Sequence, residues 1–285
     1  MEYHISDDLK LIASGLNMTL SALAEELDIS LETLSRIVNK SIYPSNEIME
    51  KIYAYAYKNR FYINEKKIEL YSRKRNILLF HGSKDQITGN ISLDYSRNKI
   101  DFGRGFYLGD NYEQSLDFVC ETPSGSIYVI DGDYSDLKVL HIDISIDWML
   151  LILLNRGKLE EYKNTKKYKE LVNYLSRYDV VIAPIADNRM FTTIEDFMRS
   201  AITTEQATHA LRDLSLGNQI VFKTEKAISQ LRILERLYVS KPEKEFVHEN
   251  KITRILDSER YVSDAYRAYQ RKGLYILEVF SDEEK

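Results

Sequence analysis

The sequence predicts an α+β fold, a small N-terminal helical bundle followed by a mostly antiparallel sheet with helices about it. Apolar residues recur at the helical period from the start of the chain to about residue 75. From Ile77 onward the apolar runs are short and mix with amphipathic segments, without regular strand–helix–strand alternation. Helical patterns return near the end. The expected division is residues 1–75, 76–240 and 241–285.

Composition narrows the function classes. At 285 residues, 44% hydrophobic and 29% charged, the chain suits one large and one small folded part. A net charge of -5 does not advertise nucleic acid or an anionic membrane as a partner. The single cysteine, Cys120, excludes an intrachain disulfide and a zinc centre of several thiolates. His4, His141, His209 and His248 lack metal-ligand spacing, so no metal is expected. The charged N-terminus lacks the apolar core of a signal peptide. The most apolar run, residues 148–154, is far too short to span a bilayer. A cytoplasmic setting with no membrane contact is the expectation.

In the N-terminal part, Leu9, Leu11, Ile12 and Leu16 mark a first helix. Thr19 caps a second, with Leu20, Leu23, Ala24 and Leu27 inward. Ser30 caps a third, carrying Leu31, Leu34, Ile37 and Val38. Pro44 and Ser45 open a fourth, with Ile48, Ile52 and Tyr55 inward. The string MTLSALAEELDISLETLSRIVNKSIYPS resembles the helix-turn-helix of phage-repressor-like regulators, in which a small residue such as Ala24 lets two helices approach and Ile29 plugs the turn. That resemblance implies a recognition helix over residues 30–39, with Thr33, Ser35, Arg36, Asn39 and Lys40 as base and phosphate contacts. Charge argues against it. Nine acidic residues outnumber six basic ones over residues 1–60, and Glu32 lies on the reading helix. Dimerisation or partner docking is the alternative use of the same motif. The connector that follows is basic, through Lys66, Lys67, Arg73, Lys74 and Arg75, and reads as a solvated face or as extra phosphate contacts.

The central part reads as strands at 77–81, 105–108, 126–131, 137–142, 179–183 and 219–223, with 231–238 either strand or helix. Helical patterns cover 112–120, 146–155, 162–175, 194–202 and 205–214. Familiar motifs fail. Gly103, Gly105 and Gly109 miss the dinucleotide fingerprint by one residue, no phosphate loop ends in Gly-Lys-Ser/Thr, and there is no Gly-x-Ser-x-Gly elbow. What remains is ordered along the chain: His81-Gly82-Ser83 at a strand end, Tyr107 after Gly105-Phe106, and Gln219 opening the strand NQIVF.

This constellation, with FGRGFYLGDNYEQSLDF, resembles the His-Tyr-Glu branch of the ADP-ribosyltransferase superfamily, the branch of the poly(ADP-ribose) polymerases. It is closer still to a bacterial family of ADP-ribosyltransferase-like domains, in which HGS, DFGxGFY, a segment like Ala183-Pro184-Ile185-Ala186-Asp187 and a closing Asn/Asp-Gln strand recur together. The resemblance covers residues 77–235 and implies a split, mostly antiparallel sheet that binds NAD as substrate.

The resemblance implies roles for the matching residues. Gly82 would exchange backbone hydrogen bonds with the nicotinamide amide, Ser115 would add another, and Tyr107 and Phe118 would sandwich the ring. His81 would hold a ribose hydroxyl, with Ser83 near the adenosine side, Gly105 and Phe106 lining the cleft, and Arg97 or Arg104 facing the pyrophosphate. His81, Tyr107 and Gln219 form the implied catalytic set. Gln219 departs from the branch, which has glutamate there. It keeps the hydrogen bond and loses a charge whose removal typically costs about 2.7–4 kcal/mol of transition-state stabilisation. Glu205, Glu225 or a phosphate of the acceptor are candidates to compensate.

The expected function is ADP-ribosyl transfer from NAD to a macromolecular acceptor, nucleic acid or protein, of toxin or phage-defence type with a cognate antitoxin as partner. The alternative is a DNA-binding regulator that senses NAD in an inactive site. Beyond Glu235, helices are expected at 243–256 and 258–271 after a Pro242 break, with an edge strand at 274–280 and a packing or oligomerising role.

Overall fold

A computed structural model describes residues 1–74, 77–212, 214 and 217–281, the side chains of Tyr95 and Asn188 excepted. Arg75 of the basic connector lies outside the described residues. The elements begin with α1 (Ile5–Gly15), α2 (Leu20–Leu27), α3 (Leu31–Val38), α4 (Asn46–Lys58) and α5 (Ile63–Ser72). They continue with β1 (Leu78–Ser83), β2 (Phe106–Gly109), α6 (Tyr112–Val119), β3 (Ser126–Gly132), β4 (Val139–His141), α7 (Ile146–Asn155), α8 (Lys166–Val172) and β5 (Val180–Pro184). The chain closes through α9 (Asn188–Met198), α10 (Thr204–Arg212), β6 (Asn218–Phe222), α11 (Glu225–Ile228), β7 (Leu231–Leu237), α12 (Lys241–Ala268) and α13 (Ile276–Val279). The class is α+β.

Two compact units form. One comprises residues 1–90, 115–132 and 232–250, and the other 91–114, 133–231 and 251 onward. These borders differ from the expected cuts at 75/76 and 240/241, because the N-terminal helices share a unit with strands from much later in the chain.

In the first unit, Thr19, Ser30 and Ser45 accept hydrogen bonds from the amides of Ala22, Thr33 and Ile48. Such caps are worth about 1 kcal/mol each. Asp28 ends α2 in the left-handed conformation, at φ 51°, and Ile29 packs against the bundle core. Leu9, Ile12, Leu23, Ala24, Leu34, Ile37 and Ile52 fill that core. Two details differ from the expectation. Leu31 is 47% exposed. The inward stripe of α4 is Met49, Ile52, Tyr53 and Ala56, a full i, i+3, i+4, i+7 set, which leaves Ile48 and Tyr55 at its margin. β1 runs antiparallel to β3, with His81 opposite Tyr128 and Gly82 opposite Ile127, and β7 borders β3 on its other side.

The second unit holds four strands in the order β4-β5-β6-β2. β6 is antiparallel to both β2 and β5, and β4 is parallel to β5, so the sheet is mostly antiparallel. Residues 148–153 are buried on every side, which makes the apolar run the core helix α7. Thr165 caps α8, breaking the helix expected over 162–175, and short 3-10 turns flank it. Asp187 accepts from the amides of Arg189 and Met190 and starts α9 ahead of the expected residue 194. The two C-terminal helices are one, α12. Pro242 sits in its first turn, where a missing N–H breaks no helical bond. The expected edge strand at 274–280 is instead the turn of helix α13, whose i, i+4 pair Ile276 and Phe280 is buried together. No helix among the described residues is long and apolar enough to cross a membrane.

Candidate functional site

The expected NAD-site residues fall to both units. In the first, β1 ends in His81, Gly82 and Ser83, all half-buried. Alternation along the strand puts Gly82 on the face of Phe80, and there α6 comes close. A Cβ at Gly82 would stand 2.7 Å from the Ser115 carbonyl oxygen and 3.2 Å from Phe118 Cδ1, so only glycine fits. Ser115 is buried, whereas Phe118, one turn on, is 56% exposed with the Lys84 ammonium 5.6 Å from its ring centre. Gly82, Ser115 and Phe118 therefore form one patch, glycine backbone packed directly under α6 beside a solvent-facing aromatic ring.

In the second unit, Tyr107 and Gln219 stand on neighbouring strands, two register positions apart. The Tyr107 phenol donates to the Gly103 carbonyl at 2.7 Å and accepts from the Phe102 amide at 3.1 Å. Burial holds its pKa well above the ordinary phenol value, against the opposing pull of the Phe102 amide. The phenol thus pins the loop before β2, and Gly103 meets the bend at φ +73°. Lys223 grips the same loop by donating to the carbonyls of Phe102 and Arg104, and burial pushes its pKa down to about 8. Gly105 exchanges hydrogen bonds with Ser96 Oγ through both its amide and its carbonyl, each at 2.8 Å, and Phe106 pairs with Phe222. Arg104 is spent on the Leu93 carbonyl and Asp94, while Arg97 is exposed.

Gln219 is 5% exposed. Its Nε2 donates to Asp101 Oδ2 at 3.1 Å and to the Pro184 carbonyl at 3.2 Å. Asp101 also takes Arg156 Nε and Nη2 on Oδ1, at 2.9 and 2.7 Å, and the guanidinium lies 3.5 Å from the Phe191 ring centre. The carboxylate beside Gln219 is therefore Asp101. Glu205 pairs with His209 on α10, and Glu225 is exposed at the start of α11. Asp101 was visible within the DFG string, but Arg156 carries no sequence signal.

On α3, Arg36 and Asn39 are exposed. Thr33 Oγ1 is 2.8 Å from Ser30 Oγ, Ser35 accepts from Asn39 at 3.4 Å, and Lys40 pairs with Asp7 at 3.3 Å. Two cavities, of about 410 and about 300 Å³, are lined by other residues, apart from Lys40 in the larger. Among the described residues one group could hold a metal ion, Cys120, Glu121 and His248, with ligand atoms within 4.8 Å of one another. It was missed because His248 lies far along the chain from the other two. The Lys244 ammonium bonds the neighbouring carbonyls of Thr122 and Pro123.

Residues 77–233, more than half of the chain, match the model of a family described as "Protein of unknown function (DUF3990)". No curated protein and no solved structure matches the chain.

Proposed function

The chain belongs to the DUF3990 family, and we propose that it is an NAD-dependent ADP-ribosyltransferase acting on a macromolecular acceptor, nucleic acid or protein, as a bacterial toxin or defence enzyme. One observation supports the reading: Gly82, with no side chain, packs against the Ser115 backbone beside the exposed Phe118 ring. A planar ring bearing an amide is suited by an exposed aromatic face with backbone donors and acceptors nearby. The resemblance assigns the nicotinamide to Gly82, Ser115, Phe118 and Tyr107, and the ribose to His81 and Gln219. In the reaction the bond from ribose C1′ to the nicotinamide nitrogen breaks, and nicotinamide leaves with the electron pair. An acceptor oxygen or nitrogen then bonds C1′ and gives its proton to solvent or a base. The oxocarbenium-like ribose between these steps is what a fixed acceptor near Gln219 would favour.

The test is nicotinamide release from NAD together with label transfer to protein, DNA and RNA, alongside calorimetric NAD binding to native protein and His81→Ala. Binding lost in the variant and label retained on one acceptor class support the reading. No NAD binding by the native protein sinks it.

A second reading, a DNA-binding regulator with a weak NAD site, draws on the α2–α3 pair and its exposed Arg36 and Asn39. It predicts a salt-dependent gel shift that Arg36→Ala weakens. A shift unchanged in that variant counts against it.

A further inference from the structure

Gln219 stands where the resembled transferases carry glutamate, and its surroundings explain the exchange. The two hydrogens on Nε2 go to Asp101 Oδ2 and the Pro184 carbonyl. Both partners only accept. Arg156 occupies Asp101 Oδ1 and leaves Oδ2 for the amide, while the Pro184 carbonyl also takes the Trp148 indole N–H at 3.2 Å. Turning the carboxamide over would set Oε1 against a carboxylate and a carbonyl, so one orientation alone is satisfied. In it, Oε1 accepts from no described residue and keeps contact with solvent. A glutamate at 219 would crowd acceptors together with no hydrogen among them.

We propose that Asp101 is a positioning residue that locks the Gln219 carboxamide, so that Oε1 is presented to a ribose hydroxyl of NAD and the Asp101–Gln219 pair does the work of the single glutamate. This rests on the NAD reading above. Glutamine is then the residue this site requires and not the mark of a lost activity. Arg156 sets the pair by engaging Oδ1, and its own guanidinium is held over Phe191.

The experiment is a double-mutant cycle of Gln219→Glu and Asp101→Asn on the full chain, read by thermal unfolding at pH 8, NAD calorimetry and nicotinamide release. Gln219→Glu alone should lower Tm, since its carboxylate faces Asp101, whose Oδ1 already holds Arg156. Adding Asp101→Asn should restore Tm, because the new amide can donate where Asp101 accepted. Asp101→Asn alone should cut kcat about 100-fold with little change in NAD affinity, and the double variant should recover most of that loss. Additive effects on Tm, or native kcat in Asp101→Asn, overturn the proposal even if NAD binds. If native protein binds no NAD, the dinucleotide reading falls with its ribose, whatever the cycle gives.

Discussion

In the first unit the Lys67 ammonium sits between two carboxylates, Asp8 and Glu235, whereas in the second the Arg156 guanidinium serves one, Asp101. Around Lys67 the neighbours converge on its two carboxylates. Tyr53 donates to Asp8, Tyr71 donates to Glu235 at 2.8 Å, and His4 Nδ1 lies 3.3 Å from the same carboxylate. The groups come from α1, α4, α5 and β7 and the residue before α1, so their hydrogen bonds go into joining the helical bundle to a strand. Burial raises the pKa of Asp8 in spite of Lys67, and it raises that of Tyr53 further. Around Arg156, Gln219 spends its amide hydrogens on Asp101 and Pro184, and its Oε1 takes no hydrogen bond from the described residues. Buried charge by itself marks cohesion. The ligand contact proposed in the second unit rests on the orientation of an amide and not on the burial of charge.

That contrast can be broken in four places. The largest effect belongs to Lys67→Met, which strands two buried carboxylates and should cost about 3–5 kcal/mol in denaturant unfolding at pH 7. A loss below about 1 kcal/mol would mean that the cluster is not a joint. Arg156→Lys keeps the charge but gives up the planar fork and the stack on Phe191. With the Arg156 side chain a third exposed, solvent screens part of the loss, and about 1 kcal/mol is expected by the same measurement. A cost equal to that of Lys67→Met would erase the distinction between the units.

Lys223 offers a sharper test through pH. Its folded pKa is about 8 against 10.5 for the ordinary side chain, so between those values the unfolded chain holds the extra proton. Stability should therefore rise from about pH 8 towards pH 10. Beyond that, buried tyrosines such as Tyr107, whose folded pKa is raised, pull the other way. Chemical denaturation across that range should show the rise in native protein and a flatter profile in Lys223→Met. The smallest stability effect is expected from Phe118→Ala, within about 0.5 kcal/mol because the ring is exposed. The same variant should weaken NAD binding by up to about tenfold, the worth of one aromatic stacking contact. A stability loss of several kcal/mol instead would make Phe118 part of the packing.

Much of this was readable along the chain. Thr19, Ser30 and Ser45 cap the helices that their spacing announces, and each expected strand from 77–81 to 219–223 forms within a residue or two. Failures came where a neighbour distant in sequence outvoted the local pattern. The 274–280 segment has aromatic and β-branched residues that suit a strand, yet Phe280 stacks on Tyr162 at 4.2 Å and a helical turn buries Ile276 beside it. Glu205 and Glu225 were the candidates to stand near Gln219 and Asp101 was not among them, because the sequence alone does not say which carboxylate the fold brings there.

The amino-acid order by itself determined the α+β class, the capped N-terminal helices and the Gly82, Tyr107 and Gln219 strings, because periodicity, capping and glycine act within a few residues. Only the tertiary structure decided that Lys67 meets Glu235, that Ser115 leaves Gly82 no room for a side chain, and that Asp101 reaches Gln219 across 118 positions. Desolvation is the reason. A carboxylate or an amide chooses its partner when water is removed, and the candidates at that moment are whichever groups the folded backbone has brought to the same place.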